Sequence, residues 1–205
     1  MDGRTARAVE RAVHGANRLT QLVETLFDLS RISTGRLTLA RRELDLGDML
    51  RDRLGLLKEE AVRAGCEVTL HARPGVRGYW DQVRLEQVIT SLFENAIKYG
   101  AGAPVSISLE LGADGREAIL EIGDRGAGIA PEDLGRIFDR YARAVSSYHF
   151  GGLGLGLYVS RTLVEAHGGS IEASNRAEGG ACFTVRLPLW RGPEAPSAGR
   201  SDAIS

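Results

Sequence analysis

The chain has 205 residues and carries 26 Lys and Arg against 27 Asp and Glu, so its formal net charge at pH 7 is −1. This balance points neither to a nucleic acid nor to an anionic membrane as a partner. Hydrophobic residues make up 43% of the chain and charged residues 26%, which is typical of a globular protein in water. No apolar run is long enough to cross a membrane and no signal peptide is present, so we expect a cytoplasmic segment without membrane contact. If the whole protein is a receptor, its membrane part lies outside this chain.

The first predicted element is an amphipathic helix. Leucines recur at three- and four-residue spacing at Leu19, Leu22, Leu26 and Leu29, and the pattern stops at the Ser-Thr-Gly sequence 33–35. A single helix cannot bury its own apolar stripe, so we expect a partner helix from another chain or a symmetry-related copy. Packing of this helix on its own domain is the alternative.

The rest of the chain predicts a mixed, largely antiparallel sheet with helices on one face, which is the two-layer sandwich of an α+β fold. The predicted strands cover residues 36–41, 66–72, 105–111, 117–123, 170–175 and 181–189. The predicted helices cover residues 45–65, 81–99, 131–138 and 156–166, with a turn at 73–80, a hairpin turn at 112–115 and a loop at 141–152. The small, polar and proline-rich tail after Trp190 predicts disorder. Cys66 and Cys182 stand in strand-like runs, which favours buried thiols over a single disulfide.

A glycine-rich segment, "GGLGLGL" at 151–157, leads directly into a predicted helix. Glycine lets the backbone approach a ligand closely, and the free amides at a helix N-terminus attract phosphate. Two common phosphate cradles are excluded. The chain contains no P-loop sequence G-x-x-x-x-G-K-[ST]. The dinucleotide-binding spacing G-x-G-x-x-G also fails, because after Gly152 and Gly154 the third glycine would fall at residue 157, which is Leu.

Two further stretches carry polar side chains suited to a nucleotide. In "FENAIKYG" (93–100), Asn95 and Lys98 share a helix face, where an amide oxygen can ligate a hard cation and an ammonium can neutralise phosphate. In "EIGDRGAGIAPEDL" (121–134), Asp124 can accept a hydrogen bond from an exocyclic amine, while Gly126 and Gly128 let the backbone pass close to a flat base.

A fourth stretch, "IFDRYARA" (137–144), places Phe138 beside Arg140 and Arg143 just before the loop. In this order and spacing, the four stretches resemble the catalytic ATP-binding domain of bacterial sensor histidine kinases. That domain belongs to the GHKL, or Bergerat, superfamily with type II topoisomerases, Hsp90 chaperones and MutL repair proteins. The sequence "NRLTQLVETLFDLSRISTGRL" (17–37) resembles the second helix of the kinase dimerisation hairpin. The resemblance implies hairpin helix over 1–35, a Bergerat-type domain over 36–190 and a tail over 191–205.

The resemblance also implies roles for individual residues, with ATP and Mg²⁺ as cofactors. Asn95 matches the magnesium ligand, Asp124 matches the carboxylate that recognises the adenine amine, and Arg143 matches an arginine at the γ-phosphate. Glu94 and Arg143 are the implied catalytic residues. Glycines of the segment 151–157 are implied to form the hinge of an ATP lid. The other implied nucleotide-binding residues are Lys98, Tyr99, Gly126, Gly128, Ile129, Arg140, Gly152, Leu153, Gly154, Leu155, Gly156 and Leu157.

The chain departs from the family pattern at three places. Ser91 stands where an asparagine is frequent, and Gly180-Ala181 replaces a Gly-Thr or Gly-Ser pair; we expect both changes to weaken nucleotide binding without abolishing it. No phosphoacceptor motif of the form H-E-x-x-x-P is present, and His14 falls in the second hairpin helix, whereas the family's acceptor histidine belongs on the first. We therefore expect the acceptor histidine to lie outside this chain.

The function implied by the resemblance is transfer of the γ-phosphoryl group of Mg-ATP to a histidine and then to the receiver domain of a response regulator. The implied partners are the dimerisation hairpin of the same kinase and a second copy in a full-length homodimer. Two alternatives remain open: an ATP-driven conformational switch without transfer, and a pseudokinase scaffold. Residue by residue, Asn95 and Lys98 could be a solvated helix end, Asp124 a turn residue and Phe138 a core residue.

Overall fold

The described part of the chain forms two sheets and five helices in a computed structural model, and it comprises residues 15–16, 20, 23, 25–142 and 154–189. The helices are α1 (25–33), α2 (Leu46–Arg63), α3 (Gln82–Gly100), α4 (Pro131–Leu134) and α5 (Gly156–Ala166). The strands are β1 (Arg42–Asp45), β2 (Val68–Ala72), β3 (Arg77–Trp80), β4 (Val105–Leu111), β5 (Glu117–Gly123), β6 (Ser170–Asn175) and β7 (Ala181–Pro188).

The main sheet has five strands in the order β2-β4-β5-β7-β6. Strands β2 and β4 are parallel, and the other neighbouring pairs are antiparallel. Alternate residues of the central strands are buried, among them Ile107, Leu120 and Val185, and α2, α3 and α5 pack against this face. The predicted two-layer α+β fold with a mixed, mostly antiparallel sheet is therefore confirmed.

Aspartates begin the two longest helices. The Asp45 carboxylate accepts hydrogen bonds from the amides of Gly47 and Asp48, and Asp81 accepts one from the amide of Arg84 at 3.1 Å. These bonds satisfy amides that lack a partner within the helix. Helix α3 ends where Ala101 adopts a left-handed conformation with φ of 51°.

Two predicted elements before α3 are wrong. Residues 36–41 form no strand, because the Ala40 amide donates to the Asp81 carboxylate at 2.7 Å and the Arg41 guanidinium donates to the carbonyl of Ala166. Residues 77–80, predicted as part of a turn, form β3, which pairs antiparallel with β1. Burial of Trp80 favours this pairing, and its indole donates to the carbonyl of Pro188 at 3.1 Å. The predicted helix over 131–138 is also shorter, since α4 ends at Leu134.

Helix α1 contacts its own domain through one face. Asp28 is buried and accepts hydrogen bonds from Arg84 at 2.7 Å and from Gln87 at 2.8 Å, both on α3. Leu26 and Phe27 on the same helix remain 53% and 64% exposed. The helix thus packs on its own domain, which was the alternative expectation. Part of its apolar surface remains exposed to solvent. The partner helix remains a prediction.

Both cysteines are free thiols, with Cys66 buried and Cys182 half-buried. The disulfide alternative is thereby excluded. Burial raises the pKa of the Cys182 thiol, and the nearby carboxylate of Glu121 raises it further. Among the described residues, no helix combines the length and apolar character that crossing a membrane demands.

Candidate nucleotide site

The last two turns of α3 carry the first group of predicted site residues. Glu94, Asn95 and Lys98 are half-buried there, and Tyr99 is more exposed. The Lys98 ammonium lies 4.8 Å from the centroid of the Tyr99 ring. Asn95 and Lys98 are three residues apart and therefore share one helix face, as predicted from their spacing.

Asp124 lies just beyond the end of β5 and is 2% exposed. Its Oδ1 atom accepts hydrogen bonds from the amide of Gly126 at 2.8 Å and from the amide of Ala181 at 3.3 Å. Its Oδ2 atom accepts no hydrogen bond from the described residues. Among the described residues, every side-chain oxygen that is fully buried has a hydrogen-bond partner. Because Oδ2 has none, it is not fully buried and reaches solvent. The carboxylate is therefore held by one oxygen and presents the other as a free acceptor.

The loop after Asp124 lies directly against the end of α3. A Cβ atom added at Gly126 would stand 2.1 Å from the carbonyl oxygen of Tyr99, which is far inside van der Waals contact. Gly180, on the hairpin between β6 and β7, has φ of 88°, and an added Cβ would stand 2.2 Å from the carbonyl oxygen of Asp124. Glycine at these two positions lets three backbone segments meet around Asp124.

The N-terminus of α5 forms the third side of the site. Gly154 has φ of 67°, and its carbonyl accepts a hydrogen bond from the amide of Tyr141 at 3.0 Å. Leu155 occupies the N-cap position and makes no side-chain hydrogen bond to the first turn. The first amides of α5 are thus left uncapped by a side chain, which suits an anionic ligand.

Helices α3 and α5 meet close to these amides. A Cβ atom added at Gly156 would stand 2.9 Å from the hydroxyl of Ser91, which lies one turn before Asn95 on α3. Leu155 is buried and Leu157 packs against the core. The side chain of Leu155 is therefore committed to the core, whereas Leu157 is only half-buried.

The phenylalanine stretch is partly structural. Phe138 is buried and packs edge-to-face on Phe183, with ring centroids 6.3 Å apart, as the core alternative predicted. Arg140 donates to the hydroxyl of Tyr158 at 2.8 Å, so it is linked to α5. Its contact with phosphate stays a prediction. The predicted residues Arg143, Gly152 and Leu153 lie outside the described residues, as do His14 and the tail after Trp190.

A groove of about 930 Å³ lies beside the site, between α1, α3 and α5. Glu94, Ser91 and Gly156 line one end of it, and Asp28 and Arg84 line another part. The groove thus runs from the contact between α1 and α3 to the residues predicted to bind the nucleotide. The described residues contain no cluster of three or more His, Cys, Asp and Glu side chains that could hold a metal ion.

The structure adds one residue that the sequence did not indicate. Asn175, at the end of β6, forms two hydrogen bonds with the backbone of Ile129, one of the predicted site residues. An exposed asparagine at a strand end is common, and nothing in the sequence pattern connects it to a loop 46 residues away. Only the pairing of β6 with β7, and of β7 with β5, brings the two together.

The sequence model of the family described as "Histidine kinase-, DNA gyrase B-, and HSP90-like ATPase" matches residues 80–191. The chain belongs to this family of ATP-binding domains. The match covers α3, the Asp124 loop and α5, which are the three sides of the site.

Two sensor kinases are among the proteins to which the chain is similar in sequence. The chain is 37% identical over 175 residues to the Sensor protein KdpD of Escherichia coli strain K12, covering 85% of this chain and 19% of that protein. It is 36% identical over 197 residues to the Signal transduction histidine-protein kinase AfsQ2 of Streptomyces coelicolor, covering 95% of this chain and 35% of that protein. The chain therefore spans only a minor part of these relatives.

A solved structure, the Acinetobacter baumannii histidine kinase AdeS, superposes with a TM-score of 0.70 at 27% identity. The alignment covers 88% of this chain and 83% of that one. Together with the relatives, it confirms the resemblance to the catalytic ATP-binding domain of sensor histidine kinases.

Proposed function

We propose that this chain binds Mg-ATP and is the catalytic ATP-binding domain of a sensor histidine kinase. In this proposal the domain lies in the cytoplasm. In this proposal the γ-phosphoryl group passes to a histidine of the dimerisation hairpin and then to an aspartate of a response-regulator receiver domain. The observation that carries the proposal is the Asp124 carboxylate, whose Oδ1 is fixed by two backbone amides while Oδ2 remains a free acceptor. An adenine amine is a donor of matching chemistry.

The described residues fit ATP at both ends. The base end has a buried carboxylate and a loop whose Gly126 leaves no room for a side chain against α3. The phosphate end has the uncapped N-terminus of α5, and Lys98 lies on α3, the helix that meets α5 at Ser91 and Gly156. The amides and the dipole of α5 favour negative charge at that point.

Magnesium also fits this arrangement. Mg²⁺ is commonly held by few protein ligands together with substrate phosphates and water, so it needs no cluster of carboxylates. We assign the amide oxygen of Asn95 as its protein ligand. When bound, the ion neutralises charge on the phosphates. Lys98 and the α5 amides provide the remaining positive potential.

The transfer itself needs positioning and a route for one proton. A nitrogen of the acceptor imidazole forms the new bond to the γ-phosphorus, the bond to the β,γ-bridging oxygen breaks, and ADP leaves. The attacking nitrogen uses its lone pair and carries no proton, so the proton leaves from the other nitrogen of the ring. We assign Glu94 to receive it because Glu94 lines the open groove beside α5. Arg143, as implied by the family resemblance, stabilises the charge on the transferred group.

Isothermal titration with Mg-ATP tests the binding step, and radiolabelled ATP tests the transfer. We expect saturable binding of Mg-ATP and of Mg-ADP by the chain. We expect no acid-labile, base-stable label on the chain alone, and weak labelling of a separately supplied dimerisation hairpin, because the tether that raises its local concentration is missing.

Three outcomes would change the proposal. Absence of nucleotide binding would contradict it and favour the scaffold alternative. Binding without labelling of any supplied hairpin would favour the conformational switch. Label on the chain alone that disappears in His14→Gln would identify His14 as an acceptor and contradict the expected location of that residue.

A further inference from the structure

The loop that follows Asp124 is fixed at two points. At its start, the amide of Gly126 donates to the Asp124 carboxylate at 2.8 Å. At its end, the amide of Ile129 donates to Oδ1 of Asn175 at 2.8 Å, and Nδ2 of Asn175 donates to the carbonyl of Ile129 at 2.6 Å. One side chain therefore satisfies both backbone groups of one loop residue.

The pair of bonds has the pattern that a neighbouring strand would provide. An asparagine amide offers one acceptor and two donors on a planar group, so it matches the N–H and C=O of Ile129 together. A carboxylate has no donor for the carbonyl, and glutamine is longer by one methylene. Asn175 also limits the space at Gly128, because a Cβ atom added there would stand 2.9 Å from Oδ1 of Asn175.

We propose that Asn175 is a positioning residue for nucleotide binding, which holds the loop 125–129 in the shape that accepts the base. The inference rests on the proposed function, since ATP is the ligand of that loop. Asn175 acts through Ile129 and Gly128. Its removal leaves the Asp124 carboxylate in place and frees the far end of the loop.

Three variants of the full chain test this. Asn175→Ala removes both bonds, and we expect it to bind Mg-ATP and Mg-ADP about tenfold more weakly, by the same factor for each, because the loop is at the base end. Asn175→Asp keeps the acceptor and loses the donor. Ser174→Ala is the matched control, since Ser174 is an exposed neighbour whose side chain points to the opposite side of β6.

The pH profile separates positioning from a general loss of structure. The introduced carboxyl in Asn175→Asp faces the Ile129 carbonyl, and only its protonated form can donate to that carbonyl. An unperturbed aspartate has a pKa of about 3.9. We therefore expect the ratio of wild-type to variant affinity for Mg-ADP to stay constant from pH 8 to about pH 6 and to shrink as the pH falls toward about 4. Asn175→Ala should show no such change in the ratio.

Amide hydrogen exchange measured without nucleotide tests, independently of binding, whether Asn175 holds the loop 125–129. We expect exchange at Ile129 to be about tenfold faster in Asn175→Ala, with unchanged exchange in the central strand β5 and in Ser174→Ala. Equal nucleotide affinity of wild type and Asn175→Ala would overturn the inference. Failure of the wild type to bind nucleotide would overturn the proposed function as well, and unchanged exchange at Ile129 would show that Asn175 does not hold the loop.

Discussion

Substitution of Asp124 by asparagine separates nucleotide binding from folding. The two oxygens of the carboxylate have different environments: Oδ1 accepts from the amides of Gly126 and Ala181, and Oδ2 is open. In Asp124→Asn the amide oxygen will occupy the Oδ1 position, because only an acceptor satisfies those two N–H groups. The amide nitrogen must then occupy the Oδ2 position, where it presents a donor to the donor of the adenine amine.

The size of the effect follows from this mismatch. Loss of a hydrogen bond to a charged group costs about 1.5–3 kcal/mol, and an unsatisfied donor left in the closed site adds about 1–3 kcal/mol. The expected loss of ATP affinity is therefore about 100-fold or more. The free energy of unfolding should change by less than about 1 kcal/mol, because both backbone contacts of Oδ1 are kept.

Isothermal titration with Mg-ATP and thermal melting without nucleotide measure the two effects. Titration with Mg-ITP adds a matched ligand, since hypoxanthine carries an acceptor at position 6 where adenine carries the amine. We expect Asp124→Asn to lose its preference for ATP over ITP. Equal ATP affinity in wild type and variant, or an unchanged preference, would refute the assignment of Oδ2 to the base.

Three further predictions follow from single contacts. Gly126→Ala should destabilise the fold by about 1–3 kcal/mol in chemical unfolding and weaken ATP binding, because its Cβ would meet the carbonyl of Tyr99 at 2.1 Å. Ala181→Thr, which restores the family's hydroxyl, should tighten ATP binding about three- to tenfold by titration. Burial lowers the pKa of His167, whose Nε2 accepts from the amide of Asp81. The unfolded state thus binds more protons below pH 6.5, so stability should fall as the pH drops from 6.5 through the folded pKa, and urea midpoints should lose this dependence in His167→Gln.

The sequence predicted most of the main sheet because its patterns are local. Strands β4 and β5 alternate buried and exposed residues and are joined at a glycine turn, and the observed bounds, Val105–Leu111 and Glu117–Gly123, match the predicted ones. The same holds for α5, whose predicted bounds 156–166 are those of the structure. In these elements the residue period and the flanking glycines agree with the tertiary packing.

The errors fall where a distant residue decides the structure. The pairing of β1 with β3 depends on burial of Trp80, and the irregular backbone at Ala40 depends on the carboxylate of Asp81. In the site, the spacing of Asn95 and Lys98 was readable from the helix period. The split roles of the two Asp124 oxygens and the contact between Asn175 and Ile129 were not, since both require knowledge of which strands are adjacent.

Helix α3 carries the contact with α1 and the predicted site residue Asn95 on a single face. Arg84, which pairs with the buried Asp28 of α1, is separated from Asn95 by eleven residues, or about 16 Å of helix, and at about 100° per residue the two point in nearly the same direction. Ser91, in contact distance of α5, lies between them on this face. Displacement of α1 would break the hydrogen bonds of Asp28 to Arg84 and Gln87 and expose its carboxylate to water. The attachment of α1 therefore rests on the same helix that carries Asn95 and Lys98, the residues proposed to bind Mg-ATP.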